Sequence, residues 1–212
     1  MRRAWLEFAF EQFYTRFAFT YDAVSAIVSR GEWRAWTRAA LPFARGARVL
    51  EIAFGTGNLQ LDLHTAGYAP FGIDLSLYMH SITQKKFRAR NLVPRLARAD
   101  VCALPFPSNF FSTLVMTFPP GFVFKSQALC EMWRVLEPQG RLVWVDAAFL
   151  EPADWYARLL NRAFQITGGG ADQTRRADIL EAARENGAPW NWRIETARAG
   201  ASYVHIFIAS KE

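Results

Sequence analysis

Residues 49–58, Val-Leu-Glu-Ile-Ala-Phe-Gly-Thr-Gly-Asn, constrain this chain more than any other stretch. A short apolar run reads as a buried strand, delivers the backbone to a glycine turn, and the turn opens a helix over residues 58–65. Gly55 and Gly57 permit backbone angles, and a close approach by another molecule, that a side chain would block. The helix start adds free N–H groups.

The alternation continues downstream. Residues 69–75 make a second strand, and Ser76 caps a helix that runs to about Arg90. Residues 95–99 form a weak third strand and 111–118 a strong fourth, stopped by Pro119-Pro120-Gly121. A helix over 126–136 and a turn at Pro138-Gln139-Gly140 lead to a fifth strand at 141–149. Strands alternating with helices predict a parallel sheet covered on both faces. In the tail, helices at 152–166 and 172–186 flank Gly168-Gly169-Gly170, and strands at 190–197 and 203–209 follow. Only residues 198–202 join these last strands, so they must be antiparallel, because a parallel crossover needs a dozen residues or more. The first 45 residues read as helices: Leu6, Phe10, Phe13 and Phe17 share one face, Asp22 opens a second helix to about Arg30, and Glu32–Leu41 make a third, stopped by Pro42.

Composition narrows the class. With 51% hydrophobic and 21% charged residues, the 212-residue chain reads as one globular domain. No apolar run approaches the roughly 18 residues that span a bilayer, and Glu7 and Glu11 break the N-terminal apolar stretch that a signal peptide needs. Cys102 and Cys130, with His64, His80 and His205 scattered, suggest neither a disulfide framework nor a metal site, and a cytoplasmic location is the simplest expectation. The net charge of +6 gathers partly in Lys85, Lys86, Arg88, Arg90, Arg95 and Arg98. Such a face can draw nucleic acid or anionic lipid, or simply be a solvated helix.

Two carboxylates stand near the glycine turn. Asp74 ends the second strand, 17 residues after Gly57, where a doubly wound sheet brings it beside the turn and where it suits the two hydroxyls of a ribose. Glu51, late in the first strand, suits a cation. A dinucleotide fingerprint fails, because its third glycine is Gln60 here.

At Glu51-Ile-Ala-Phe-Gly-Thr-Gly57, Gly72-Ile-Asp-Leu-Ser-Leu-Tyr-Met79, Ala99-Asp-Val-Cys-Ala-Leu-Pro-Phe106 and Arg134-Val-Leu-Glu-Pro-Gln-Gly-Arg-Leu142 the chain resembles the class I methyltransferases that use S-adenosyl-L-methionine. It is similar to their small-molecule branch, the ubiquinone/menaquinone C-methyltransferase (methyltransferase type 11) group, over roughly residues 20–150. The resemblance implies an α/β, Rossmann-like, doubly wound and mostly parallel seven-stranded sheet, with a C-terminal antiparallel hairpin and an N-terminal helical cap. Residues 1–45 would be the cap or lid and 46–212 the cofactor-binding part of the same domain. It also implies a set of contacts. Ala53, Phe54, Gly55, Thr56 and Gly57 would pass under the methionine and ribose portions, with Glu51 toward the amino group. Asp74 would bind the ribose, Leu75 and Met79 would flank the adenine, Asp100 and Val101 would meet its edge, and Phe118 would line the methyl-donor side. S-adenosyl-L-homocysteine would be the product, with no metal. One departure stands out: the first glycine of the family's turn is Ala53 here.

Methyl transfer from a sulfonium needs alignment more than a catalytic motif. Asp146, near the end of the fifth strand, and Tyr21 are the candidate bases, with Tyr14, His80 and His205 behind them. Phe118-Pro119-Pro120-Gly121-Phe122 resembles the turn of base-modifying methylases, but a phenyl ring cannot accept amino hydrogens, so RNA or DNA is the weaker expectation. Eight of the first 21 residues are aromatic, which suggests a lid over an apolar small-molecule acceptor, a peripheral membrane contact, or core. The expected function is methylation of a small apolar or aromatic acceptor; the alternatives are a cofactor-binding regulatory or degenerate protein and an RNA methyltransferase. The sequence leaves the oligomeric state open.

Overall fold

The computed structural model describes residues 21–119, 121, 125–150, 155, 156, 158, 159, 162, 181 and 188–212, with backbone alone at Tyr21, Ala23, Val24 and Leu150. Tyr14, the expected helix through Phe17, and all of the two helices around Gly168–Gly170 except residues 155, 156, 158, 159, 162 and 181, which are helical, lie outside the described residues.

Among the described residues, helices α1 (Tyr21–Val28) and α2 (Trp33–Arg38) come first, joined through a turn at Arg30 and Gly31. The expected helix to Leu41 is shorter: it ends at Arg38, and Pro42 sits in a 3₁₀ turn, Leu41–Phe43. Proline has no N–H to continue an α-helix. Then follow β1 (Val49–Ile52), α3 (Asn58–Thr65), β2 (Phe71–Asp74), α4 (Leu77–Arg88), β3 (Arg95–Arg98), β4 (Phe111–Thr117), α5 (Ser126–Val135), β5 (Leu136–Leu150), β6 (Trp190–Ala199) and β7 (Ser202–Lys211).

The sheet has seven strands in the order β3-β2-β1-β4-β5-β7-β6. β1 to β5 are parallel, whereas β7 runs antiparallel between β5 and β6. The chain order reverses at β1, with β2 on one side and β4 on the other. Ligands of such sheets bind in the crevice that this reversal opens beyond the carboxyl ends of the strands. The turn expected at Pro138–Gly140 interrupts β5 near its start. There the pairing jumps from Phe111↔Leu136 to Thr113↔Arg141, and Gln139 takes a positive φ.

Side chains of the central strands alternate between two cores. Leu50, Ile52, Leu114, Met116, Leu142 and Trp144 pack under α5. Val49, Val115, Val143, Val145 and Ile206 pack on the other face with Leu59, Leu63 and Trp36. Trp36 ties α2 to that second core and is 0% exposed. Arg34 adds a two-pronged contact to Asp62 of α3, at 2.7 and 3.3 Å. Truncating Trp36 to Ala should cost about 3–5 kcal/mol, the usual price of deleting a buried indole. Urea denaturation measures this; a loss below about 1 kcal/mol would show that α2 is not part of the core.

Candidate functional site

The turn from β1 into α3 is built on left-handed backbone. Ala53, Gly55 and Gly57 have φ of 57, 54 and 75°. For Gly57 the requirement is also steric, because a Cβ there would collide with Thr83 of α4. Thr83 in turn donates to the Gly55 carbonyl at 3.2 Å. Among the described residues, nothing stands within 4 Å of where a Cβ on Gly55 would lie. Asp74 fixes the turn from the side: its carboxylate accepts the Gly55 N–H at 2.9 Å and the Ser76 N–H at 2.8 Å. Burial raises the Asp74 pKa, and these two N–H donors oppose the rise. Ser76 then caps α4 by accepting from the Met79 N–H.

The other expected cofactor residues fall into three places. Phe54 and Met79 bury against each other with Ile82 and Leu96, as the floor under the turn. Leu75 is 58% exposed just past β2, and its carbonyl accepts from Arg98. Asp100, two residues beyond the β2–β3 pair Asp74↔Arg98, is exposed and accepts the Cys102 N–H, with Val101 buried beside it. Leu75, Asp100 and Val101 thus share the same edge of the sheet as Asp74. Across the switch point, Phe118 has φ 47° and donates its N–H to the Val145 carbonyl at 2.7 Å. Its ring lies 4.7 Å from that of Trp33. The sequence reading missed Trp33, which the structure makes an apolar wall with Phe118.

Asp146 is 4% exposed. It is the extra residue where the β5–β7 pairing passes from Val145↔Ile206 to Ala147↔His205. A bulge re-aims the side chain it carries. Tyr21 opens α1, but its side chain lies outside the described residues. His80 contacts the Ala97 carbonyl and lies edge-on to Phe54, and His205 contacts Thr196. Among the described residues no group of His, Cys, Asp and Glu could hold a metal ion, and no helix is long and apolar enough to cross a membrane.

Glu51 is the most unusual group. It is 2% exposed, and its Oε2 has no hydrogen-bond partner among the described residues. Burial, with lesser help from the charges of Asp74 and Asp62, pushes its pKa up to about 8, against a hydrogen bond from Gln60. A buried carboxyl next to an open turn fits a cationic ligand group, which would restore the charged form. The Asp74 carboxylate, each oxygen holding a single backbone donor, has capacity left for a pair of hydroxyls. The residues present therefore fit a nucleoside that carries an ammonium group.

Two predictions follow from this geometry. In the ligand-free protein, the folded state keeps a proton on Glu51 that the unfolded chain releases at its ordinary value of 4.5. Its contribution to stability is complete below that value and is lost as the pH rises toward about 8. Melting temperature should fall across this window, and Glu51→Gln should flatten the fall; an unchanged slope would remove Glu51 as its source. Ala53, a non-glycine residue held at φ 57°, should gain from substitution. The left-handed conformation costs roughly 1–2 kcal/mol, of which glycine's greater freedom in the unfolded chain takes back about 0.4–1 kcal/mol. Ala53→Gly should therefore stabilise by up to about 1 kcal/mol in urea titration, and destabilisation would contradict the strain.

Comparison with known proteins agrees with this geometry. Residues 50–144 match the model of the family described as a methyltransferase domain. The demethylmenaquinone methyltransferase of Thermus thermophilus is 37% identical over 129 residues, 58% of this chain and 59% of that protein. That of Deinococcus radiodurans is 34% identical over 146 residues, 65% of this chain and 60% of the relative. The chain thus spans about six-tenths of the length of these relatives. Among solved structures, a candidate S-adenosyl-L-methionine-dependent methyltransferase of Methanococcus maripaludis superposes with a TM-score of 0.70 at 17% identity, covering 92% of this chain and 91% of that one. Residues 50–144 thus resemble a methyltransferase domain, and the chain shares the fold of a solved candidate S-adenosyl-L-methionine-dependent methyltransferase.

Proposed function

We propose that this protein transfers a methyl group from S-adenosyl-L-methionine to a small aromatic acceptor of the quinone type. The observation that carries the reading is the meeting of Asp74 with the Gly55 N–H at the switch point of the sheet. It supports a ribose-binding carboxylate beside an open glycine turn. The relatives' names supply the acceptor class.

The bound cofactor supplies an activated methyl group on a sulfonium sulfur. The chain's own residues then have to bind, align and keep water out. Asp74 holds the ribose hydroxyls, Glu51 answers the ammonium, and Asp100 with the Val101 backbone meets the adenine edge, with Leu75 and Met79 flanking it. Phe118 and Trp33 form an apolar wall on which an aromatic ring can stack. An acceptor ring carbon would attack the methyl carbon, the sulfur would leave with the electron pair of the broken bond, and the methylated ring carbon would then give up its proton. Asp146 and Tyr21 are the groups assigned to take that proton. The acceptor would be the reduced ring, since a hydroquinone is electron-rich where a quinone is not.

A second reading, a cofactor-binding protein with little turnover, is favoured by Ala53, whose methyl group stands in the turn where the family has none. Calorimetry with S-adenosyl-L-homocysteine and a radiolabelled methyl-transfer assay on demethylmenaquinol separate the two. Asp74→Ala should weaken binding by about 1–3 kcal/mol. Unchanged affinity would show that Asp74 does not hold the nucleoside. Tight binding without transfer to any quinol would favour the second reading.

A further inference from the structure

Asp22 belongs to α1, yet its carboxylate ends in the glycine turn. Asp22 Oδ1 accepts from Thr56 Oγ1 at 2.6 Å and from Asn58 Nδ2 at 3.0 Å. Asp22 Oδ2 accepts from Lys86 Nζ at 2.6 Å. Lys86 also donates to Asn58 Oδ1 at 2.8 Å, and Asn58 Nδ2 reaches Thr56 Oγ1 at 3.3 Å. The four side chains thus close a ring that joins α1, the turn, the start of α3 and the last turn of α4. Thr56 is buried between the two glycines. One end of the turn is held by Asp74 through the Gly55 N–H, and the next residue is held by Asp22. No other described contact fixes the Thr56 hydroxyl from the cap side.

An ion pair that is partly exposed to solvent contributes little to global stability. Its effect is local: it sets the shape of a turn that glycine leaves free to move, and it seats α1 across that turn. We propose that Asp22 is a positioning residue, oriented by Lys86, which holds the glycine turn in its ligand-binding form and locks α1 over the bound nucleoside. This rests on the reading given under Proposed function. A nucleoside in the turn then leaves only after Asp22 lets go of Thr56. Asp22 touches none of the reacting atoms; it acts through Thr56 and Asn58.

Two measurements on the full chain test this. Amide hydrogen exchange of residues 53–58 needs no ligand: Asp22→Ala should speed exchange in this segment by about tenfold, the loss of one or two charge-assisted hydrogen bonds, while the β4 and β5 amides stay protected. Stopped-flow release of S-adenosyl-L-homocysteine should quicken by a similar factor. In a Lys86→Met background, Asp22→Asn keeps an oxygen for Thr56 and Asn58 without an opposing ammonium, so D22N/K86M should release the ligand more slowly than D22A/K86M. A general loss of packing would not produce that rescue. Should Asp22→Ala fail to fold, the two double variants carry the comparison. Unchanged exchange at 53–58 overturns the proposal even if no ligand binds, whereas wild-type protein that binds no S-adenosyl-L-homocysteine yet shows faster exchange in Asp22→Ala overturns only the cofactor reading. Equal release from wild type, D22A/K86M and D22N/K86M also overturns it.

Discussion

The hydrogen bond from the Gly55 N–H to Asp74 is the contact on which the site depends. It crosses from the end of β1 to the end of β2 and converts a pair of parallel strands into the rim of a crevice. The turn it restrains holds three residues at positive φ within five positions, which glycine tolerates and alanine resists. Without a fixed anchor such a segment would sample many shapes and lose the entropy of ordering each time a ligand bound. Asp74 spends one lone pair of each oxygen on the backbone and leaves the others for a guest.

Much of this was legible in the sequence because it is local. The strand, the glycine pair and Asp74 lie within 26 residues, and the doubly wound pattern alone brings strand ends together. The switch point at β1 and the antiparallel final pair follow from the same alternation. Other features had no local signal. Asp22 reads only as the opening of a helix, and Lys86 only as one cation in a basic stretch; 64 residues and the elements α2, β1, α3 and β2 separate them, so no periodicity could join them. Trp33 reads as a helix residue until the turn after β4 brings Phe118 onto its ring. The bulge at Asp146 was equally hidden, since it arises from the register with β7 and not from any residue within β5.

Glu51 is a costly group to keep, and the proposed binding site gives it a use. A carboxyl so deeply buried would give a better ligand-free core as an apolar residue of the same size. Its retention makes sense if the cost of burial is recovered when a positive charge arrives. The same balance holds for Ala53, whose strained backbone lies in the turn proposed to meet the ligand.

The position of β7 has a consequence for how the molecule assembles. The strand lies inside the sheet, yet it follows both of its neighbours in the chain, so β5 must wait with an open flank while β6 and β7 are still being made. β6 has no place in the sheet until β7 inserts between them. The pairing that seals the apolar flank of the parallel half therefore has a long loop to close, and such closures are slow. During that interval the nascent protein presents an unpaired, strongly hydrophobic edge, the kind of surface on which chaperones act and on which newly made chains aggregate.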